Sequence, residues 1–186
     1  KSFSKNGKAT VKKANTFGIK LTRLERDQLS IFKDITASTS DRREYDDKPL
    51  DYYQDFYDSF GHQADFMTAS LNFKDYLQNL QKDQEKLGQK IQKLQADLEN
   101  NPQSEKKQNQ LRELSSQFDS FETRKAEAQE LIDKYGDQDQ DQVLAASLFI
   151  YTPQETTYLF SGSYPEFNKF YAPALLQEYV MTESIK

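Results

Sequence analysis

The chain has 186 residues and a net charge of -5, and 35% of its residues are hydrophobic and 13% aromatic. The aromatic content excludes a disordered chain, and the lack of cysteine excludes disulfides and thiolate metal sites. No stretch reaches the ~20 apolar residues of a membrane span, so a packed core in a chain without a membrane-spanning segment is expected.

The first 72 residues alternate between helical and strand-like spacing. In order, they predict a helix at 8–16, a strand at 18–24, a helix from the N-cap Asp27 through Ile35, a polar loop at 39–49, a helix at 50–60 and a strand at 64–71. This order of elements is typical of a helix-covered sheet.

Two long heptad-patterned segments follow, and they are separated only by Asn100, Asn101 and Pro102. Each segment has roughly 25–30 residues, or about 40 Å of helix. The short connection requires the two helices to pair antiparallel, as a coiled-coil hairpin. Gln84 and Lys125 interrupt the apolar stripes, and such polar positions weaken a seam while fixing its register.

The last part of the chain predicts a return to the sheet. It contains a polar hinge at 137–142, a nearly continuous apolar strand at 143–151, a turn at 152–155, a strand at 156–162 and a helix from Phe170 onward. The hairpin is therefore an insertion. We expect an α+β fold in which residues 1–72 and 136–186 build a mixed sheet domain and residues 73–135 form the inserted arm.

Few side chains suggest chemistry by themselves. The adjacent Arg42 and Arg43, near Tyr45, suit bidentate binding of a phosphate or carboxylate. The alternative is a surface pair neutralised by the acidic residues around it. The only histidine, His62, follows a glycine at a helix end, where a surface or capping role is favoured over catalysis. We therefore assign no catalytic residue.

The charge distribution leaves two alternatives open. Residues 1–26 carry eight basic side chains and one acidic one (+7, which leaves -12 for the remainder). A basic segment can bind phosphates, but a solvated helix face has the same composition. The arm is nearly neutral, with Lys106 and Lys107 adjacent near its tip, so that it suits a nucleic acid, a docking partner or dimerisation.

The order of the segments resembles a known family. It runs through KATVKKANTFGIKL, TSDRREYDDKPLDYYQDFYDSFG, ADFMTASLNFKDYL, a helical hairpin, LAASLFIY, TYLFSGS and FYAPALLQEYVM. This combination, over essentially the whole chain, resembles the Fem family of aminoacyltransferases that build the interpeptide bridges of peptidoglycan. The resemblance implies part of a GCN5-acetyltransferase-like domain with an inserted coiled coil, in a fragment of a longer enzyme that is inactive alone.

The resemblance also implies an activity. Family members transfer an amino acid from aminoacyl-tRNA to the stem-peptide lysine of a lipid-linked or nucleotide-linked muropeptide precursor, without a metal or other cofactor. We accordingly expect a cytoplasmic enzyme without a transmembrane segment that associates peripherally with the inner face of the membrane. The alternative is a non-enzymatic coiled-coil adaptor that self-associates between Leu77 and Tyr135; an acyltransferase with another donor is a third reading.

Site residues follow from matching positions. Arg42 matches the arginine of a family Thr-x-x-Arg stretch that approaches the acceptor's phosphates, and Arg43 is adjacent. The strand YLFSGS resembles the one that lines the acceptor cleft. The implied substrate-binding residues are Arg42, Arg43, Tyr45, Tyr158, Ser161 and Ser163, and the expected tRNA contacts are Lys12, Lys13, Lys106 and Lys107.

Overall fold

A computed structural model describes residues 5–136 and 140–184, which contain six α-helices and four strands. They are α1 (Lys5–Asn15), β1 (Lys20–Arg23), α2 (Leu29–Arg43), α3 (Leu50–Phe60), β2 (Ala64–Leu71), α4 (Phe73–Asn100), α5 (Glu105–Tyr135), β3 (Gln142–Tyr151), β4 (Thr156–Ser163) and α6 (Ala172–Glu183), with short 3-10 helices at Arg26–Gln28, Gly61–Gln63 and Pro165–Phe170. The α+β class is confirmed. The predicted hinge at 137–142 lies partly outside the described residues.

The chain divides into two compact units. The sheet unit comprises Lys1–Leu71 and Asp141–Lys186, and the arm unit comprises residues 72–140. In the described residues, no helix has the length and apolar character needed to cross a membrane.

Among the described residues the sheet has four strands in the order β1-β2-β3-β4, and every neighbouring pair is antiparallel. The expected mixed sheet is therefore wrong. A four-residue turn joins β3 to β4, which permits only antiparallel pairing. Each of the other two connections contains two α-helices instead of the single crossover helix of a parallel unit.

Helices cover both faces of the sheet. Alternate residues such as Phe66 and Leu148 pack with Phe32 of α2 and Tyr53 of α3 in one core cluster. The intervening residues face α6, which packs on β2 and β3 and against α1. Because both faces are covered, all eight residues of β2 are buried.

Helix α2 is longer than the sequence indicated. Residues 39–49 were predicted as a loop, but α2 continues to Arg43, and Glu44 ends it in the left-handed region with φ 56°. The Thr39 and Ser40 hydroxyls donate to the carbonyls of Ile35 and Ala37. Such back-bonding lets hydroxyl residues remain inside a helix, and it places both candidate arginines in the last helical turn.

Two other predicted boundaries differ in detail. Asp27 does not cap α2; it lies in a 3-10 turn, where Glu25 and Gln28 form a reciprocal capping box. The last helix begins at Ala172 instead of Phe170, because the 3-10 helix Pro165–Phe170 precedes it.

In the arm unit, α4 and α5 pack antiparallel. The Phe73 and Tyr135 ring centroids lie 6.3 Å apart near the base, and Lys107 Nζ lies 3.3 Å from Asp97 Oδ2 near the tip. Asn72 and Ser104 cap the two helices by accepting hydrogen bonds from backbone amides. The two helices therefore pair with each other within one chain.

A polar layer interrupts the interface between α4 and α5. Gln84 is buried, and its amide donates to Glu122 Oε1 at 2.6 Å and to the Phe118 carbonyl at 3.3 Å. Lys125 Nζ donates to Gln84 Oε1 at 2.8 Å. Because these contacts require one alignment of the helices, the layer specifies the register of the pair.

Candidate functional site

A cavity of about 200 Å³ lies in the sheet unit between the end of α2, strands β3 and β4, and the first turn of α6. Four of the six predicted substrate-binding residues line it, namely Arg43, Tyr158, Ser161 and Ser163. Thr39, Ala145, Ala146, Ser147, Gly162 and Pro173 complete the lining. Arg43 is the only charged residue among them, so the cavity is a positively charged, hydroxyl-rich recess.

A β-bulge brings the three cavity-lining hydroxyl residues of β4, Tyr158, Ser161 and Ser163, to one face. The register between β3 and β4 shifts beside Phe149, which pairs with Tyr158, whereas Ser147 pairs with Ser161. Residues that face each other across a ladder point to the same side of the sheet. In a regular strand successive side chains point to opposite faces of the sheet. Tyr158 and Ser161, three residues apart, would then lie on opposite faces.

The wall residues are held by local contacts. Ser147 Oγ donates to the Tyr158 hydroxyl at 3.2 Å, and the Tyr158 ring packs 5.3 Å from that of Phe149. Tyr158 nevertheless remains 41% exposed, so one side of the ring is open to a ligand.

Helix α2 and strand β4 approach closely beside the cavity. A Cβ atom on Gly162 would lie 2.8 Å from the carbonyl oxygen of Ile35, so only glycine fits there without displacement. Arg42 Nη1 donates to the Ser163 carbonyl at 3.1 Å. Arg42 therefore fastens the helix to the strand, while Arg43 lines the cavity.

Tyr45, the remaining predicted site residue, is 46% exposed and does not line the cavity. Its segment is fastened by Asp47, which accepts hydrogen bonds from Lys33 and from the Tyr53 hydroxyl. Burial acts to raise the pKa of Asp47, but the hydrogen bonds from Lys33 and Tyr53 outweigh it and lower that pKa. Asp47 is thus a structural carboxylate.

The predicted tRNA contacts lie in different units. Lys12 lines a separate recess of about 230 Å³ in the sheet unit with Glu178, and Lys13 Nζ lies 5.3 Å from the centroid of the Tyr171 ring. In the arm unit, Lys106 is exposed, whereas Lys107 pairs with Asp97. In each pair one lysine already has a partner, Lys13 at the Tyr171 ring and Lys107 at Asp97, so Lys12 and Lys106 are the more available for binding a phosphate.

The lining chemistry indicates binding and orientation. No carboxylate or imidazole lines the cavity, and no group of three or more His, Cys, Asp or Glu residues suited to a metal occurs in the parts of the chain that the structure describes. Arg43 can pair with a phosphate or carboxylate, and its neighbouring hydroxyls can donate to it. Pro173 adds the first turn of α6, whose dipole favours negative charge.

Six of the ten lining residues were missed by the sequence reasoning, namely Thr39, Ala145, Ala146, Ser147, Gly162 and Pro173. Ser147 did carry a signal, because it interrupts an otherwise apolar buried strand. Thr39 lies one helical turn before Arg43, but this relation is visible only once the stretch is known to be helical.

A model of the FemAB family matches residues 1–186. Aminoacyltransferase FemA of Staphylococcus epidermidis is 26% identical over 166 residues, which cover 88% of this chain and 38% of the relative. Aminoacyltransferase FemA of Staphylococcus aureus (strain MRSA252) is 24% identical over 163 residues, with the same two shares. The chain thus spans 38% of the length of these relatives.

A crystal structure of FemX has a similar fold. It aligns with a TM-score of 0.82 and 20% sequence identity, and the alignment covers 98% of this chain and 45% of FemX. Both units of the chain are therefore included in the structural match.

Proposed function

Because the chain belongs to the FemAB family, we propose that the whole protein is an aminoacyltransferase that adds an amino acid to a peptidoglycan precursor. Support comes from the aminoacyltransferase relatives and from the cavity that gathers Arg43, Tyr158, Ser161 and Ser163. The gathering of residues from α2 and β4 is the observation that carries the proposal for this chain. The donor is aminoacyl-tRNA, which places the reaction in the cytoplasm.

In this proposal the cavity binds the acceptor. Arg43 pairs with a phosphate or carboxylate of the muropeptide precursor, and the hydroxyls of Ser161 and Tyr158 hydrogen-bond to it. Arg42 takes a second role, because its guanidinium already donates to the Ser163 carbonyl. A lipid-linked precursor would bring the protein to the inner face of the membrane, whereas a nucleotide-linked precursor would not.

The reaction itself is an aminolysis. The ε-amine of the stem-peptide lysine attacks the carbonyl carbon of the aminoacyl ester, the bond to the tRNA ribose oxygen breaks, and the amine proton passes to that leaving oxygen. The protein lowers the barrier by orienting the two reactants and by stabilising the oxyanion. We assign orientation of the acceptor, and no proton transfer, to the residues of the cavity.

We further propose that the sheet unit is part of a GCN5-acetyltransferase-like domain and that the arm unit is an intramolecular antiparallel coiled coil. The Gln84 layer supports the second statement, because single polar positions of this kind occur in coiled-coil seams. The adaptor alternative requires the apolar stripe of the arm helices to pack against a second copy of the chain. Leu80, Leu87 and Leu94 of that stripe are already buried within this chain.

The test is transfer of a labelled amino acid from charged tRNA to a muropeptide precursor by the whole protein. We expect Arg43→Ala to raise the acceptor KM roughly 10- to 100-fold, because a charged hydrogen-bonded pair contributes about 1.5–3 kcal/mol. Arg26→Ala is the matched control, since Arg26 pairs with Asp58 on the surface of the same unit. Absence of transfer by the unaltered protein would refute the proposed function.

A further inference from the structure

Thr39 is part of the cavity wall and is only 2% exposed. We propose that Thr39 is a positioning residue, which sets the geometry of the acceptor cavity through the backbone of Ser163. This inference rests on the proposed function of the cavity. It assigns a role to a residue that would not itself contact the reacting atoms.

The contacts of the Thr39 hydroxyl are directional. A hydroxyl has one proton to donate and two lone pairs to accept with. Its Oγ1 lies 2.9 Å from the Ile35 carbonyl and 3.4 Å from the Ser163 carbonyl, so the proton goes to the nearer oxygen of Ile35. The Ser163 amide donates to the same Oγ1 at 3.1 Å.

Ser163 is thereby held at both of its main-chain groups. Thr39 accepts from its amide, and Arg42 donates to its carbonyl oxygen at 3.1 Å. Ser163 pairs with Ala145 at the last position of β4, and β4 is the terminal strand of the sheet within the described residues. The last residue of a terminal strand frays unless other groups hold it.

The two contacts with the Ser163 backbone, from Thr39 and from Arg42, form a clamp that links the two walls of the cavity. Thr39 and Arg43 lie on one helix, four residues apart and hence on the same face, while Ser161 and Ser163 lie on the strand. If the clamp is lost, the serine hydroxyls move relative to the Arg43 guanidinium. Binding sites require their groups to be placed within about 0.5 Å, so this movement weakens acceptor binding even though Arg43, Ser161 and Ser163 all remain.

A purely structural hydroxyl would behave differently, and α2 supplies the comparison. Thr36 is also 2% exposed, and its hydroxyl donates to the Lys33 carbonyl in the same helix. It is not among the cavity-lining residues. The same substitution at the two positions therefore removes a comparable buried hydroxyl, but only one of them holds Ser163.

The experiment measures acceptor KM and kcat of the whole protein for Thr39→Val, Thr39→Ser and Thr36→Val, with a thermal melt of each. We expect Thr39→Val to raise the acceptor KM about fivefold, the equivalent of one hydrogen bond of ~1 kcal/mol, with kcat changed less than about twofold. Thr39→Ser restores the KM, and Thr36→Val lowers the melting temperature without changing the KM. Thr39→Cys, a weak hydrogen-bonding analogue, replaces Thr39→Val should the latter not fold.

An unchanged KM in Thr39→Val, or an equal rise in Thr36→Val, would overturn the positioning role. Arg43→Ala separates this failure from that of the proposed function. If Arg43→Ala raises the KM while Thr39→Val does not, the cavity binds the acceptor and only the inference is wrong. If neither variant changes the KM, the assignment of the cavity fails as well.

Discussion

Replacing Gly162 with alanine tests how closely α2 and β4 must approach. The new Cβ would lie 2.8 Å from the carbonyl oxygen of Ile35, 2.9 Å from its carbonyl carbon and 3.2 Å from the amide nitrogen of Thr36. Ordinary contacts begin at 3.4 Å, so the shortest of these distances is about 0.6 Å too small. All three atoms belong to the helix backbone, so no side-chain rotation can relieve the clash.

The magnitude follows from the cost of overpacking. Forcing an extra methyl group into a well-packed interior destabilises by about 1–3 kcal/mol. A protein of this size loses roughly 2–4 °C of melting temperature per kcal/mol, so we expect Gly162→Ala to lower the melting temperature of the sheet unit by roughly 2–12 °C.

The measurement is urea and thermal denaturation followed by near-ultraviolet circular dichroism, which reports tyrosine packing. The matched control is Gly88→Ala in α4, where the new Cβ would lie 3.4 Å from Phe118 Cε2, an ordinary contact. A helix-interior glycine costs about 0.5–1 kcal/mol relative to alanine, so this control should be stabilised. If Gly162→Ala unfolds at the same urea concentration as the unaltered protein, the close approach does not exist as described.

Two further predictions concern polar groups. Asp47→Asn should destabilise by about 2 kcal/mol, because it weakens charged hydrogen bonds from Lys33 and Tyr53. These bonds outweigh burial and lower the pKa of Asp47. Their stabilisation is therefore complete above the unfolded-state pKa near 4 and is lost as the pH falls through the folded-state pKa. When the pH is lowered from about 7 to about 2, the urea midpoint should fall more for the unaltered protein than for the variant. Gln84→Leu should raise the melting temperature of the arm unit, since it replaces the buried polar side chain of the interface with an apolar one and leaves Lys125 in contact with Glu122; a lowered melting temperature would contradict this.

The strongest sequence patterns predicted their elements well. The apolar run at 143–151 predicted a buried strand, and β3 spans Gln142–Tyr151 with seven consecutive buried residues. The stripes on either side of Pro102 predicted two long helices, which are α4 and α5. In each case burial and period act over many residues, so that no single side chain decides the outcome.

The candidate site was less accessible to sequence reasoning because it depends on tertiary contacts. The stretch around Thr39 is rich in residues that disfavour helix, and its helical state depends on hydroxyl back-bonding and on packing against β4. The common orientation of Tyr158 and Ser161 depends on a bulge, which reverses the expected alternation. The family resemblance could name Arg43, Tyr158, Ser161 and Ser163 as candidates, but their placement around one cavity could not be anticipated.

The arm is inserted in the sequence between two strands that are neighbours in the sheet, and this determines where the length of the chain can vary. Leu71 and Gln142 are partners in the β2–β3 ladder, so the excursion leaves and re-enters the sheet at one rung. Whole helical turns could be added to or removed from its far end, with matching changes on both helices, without altering any strand pairing. Length differences among homologous chains should therefore concentrate at 100–105 and leave the hydroxyl-lined recess intact.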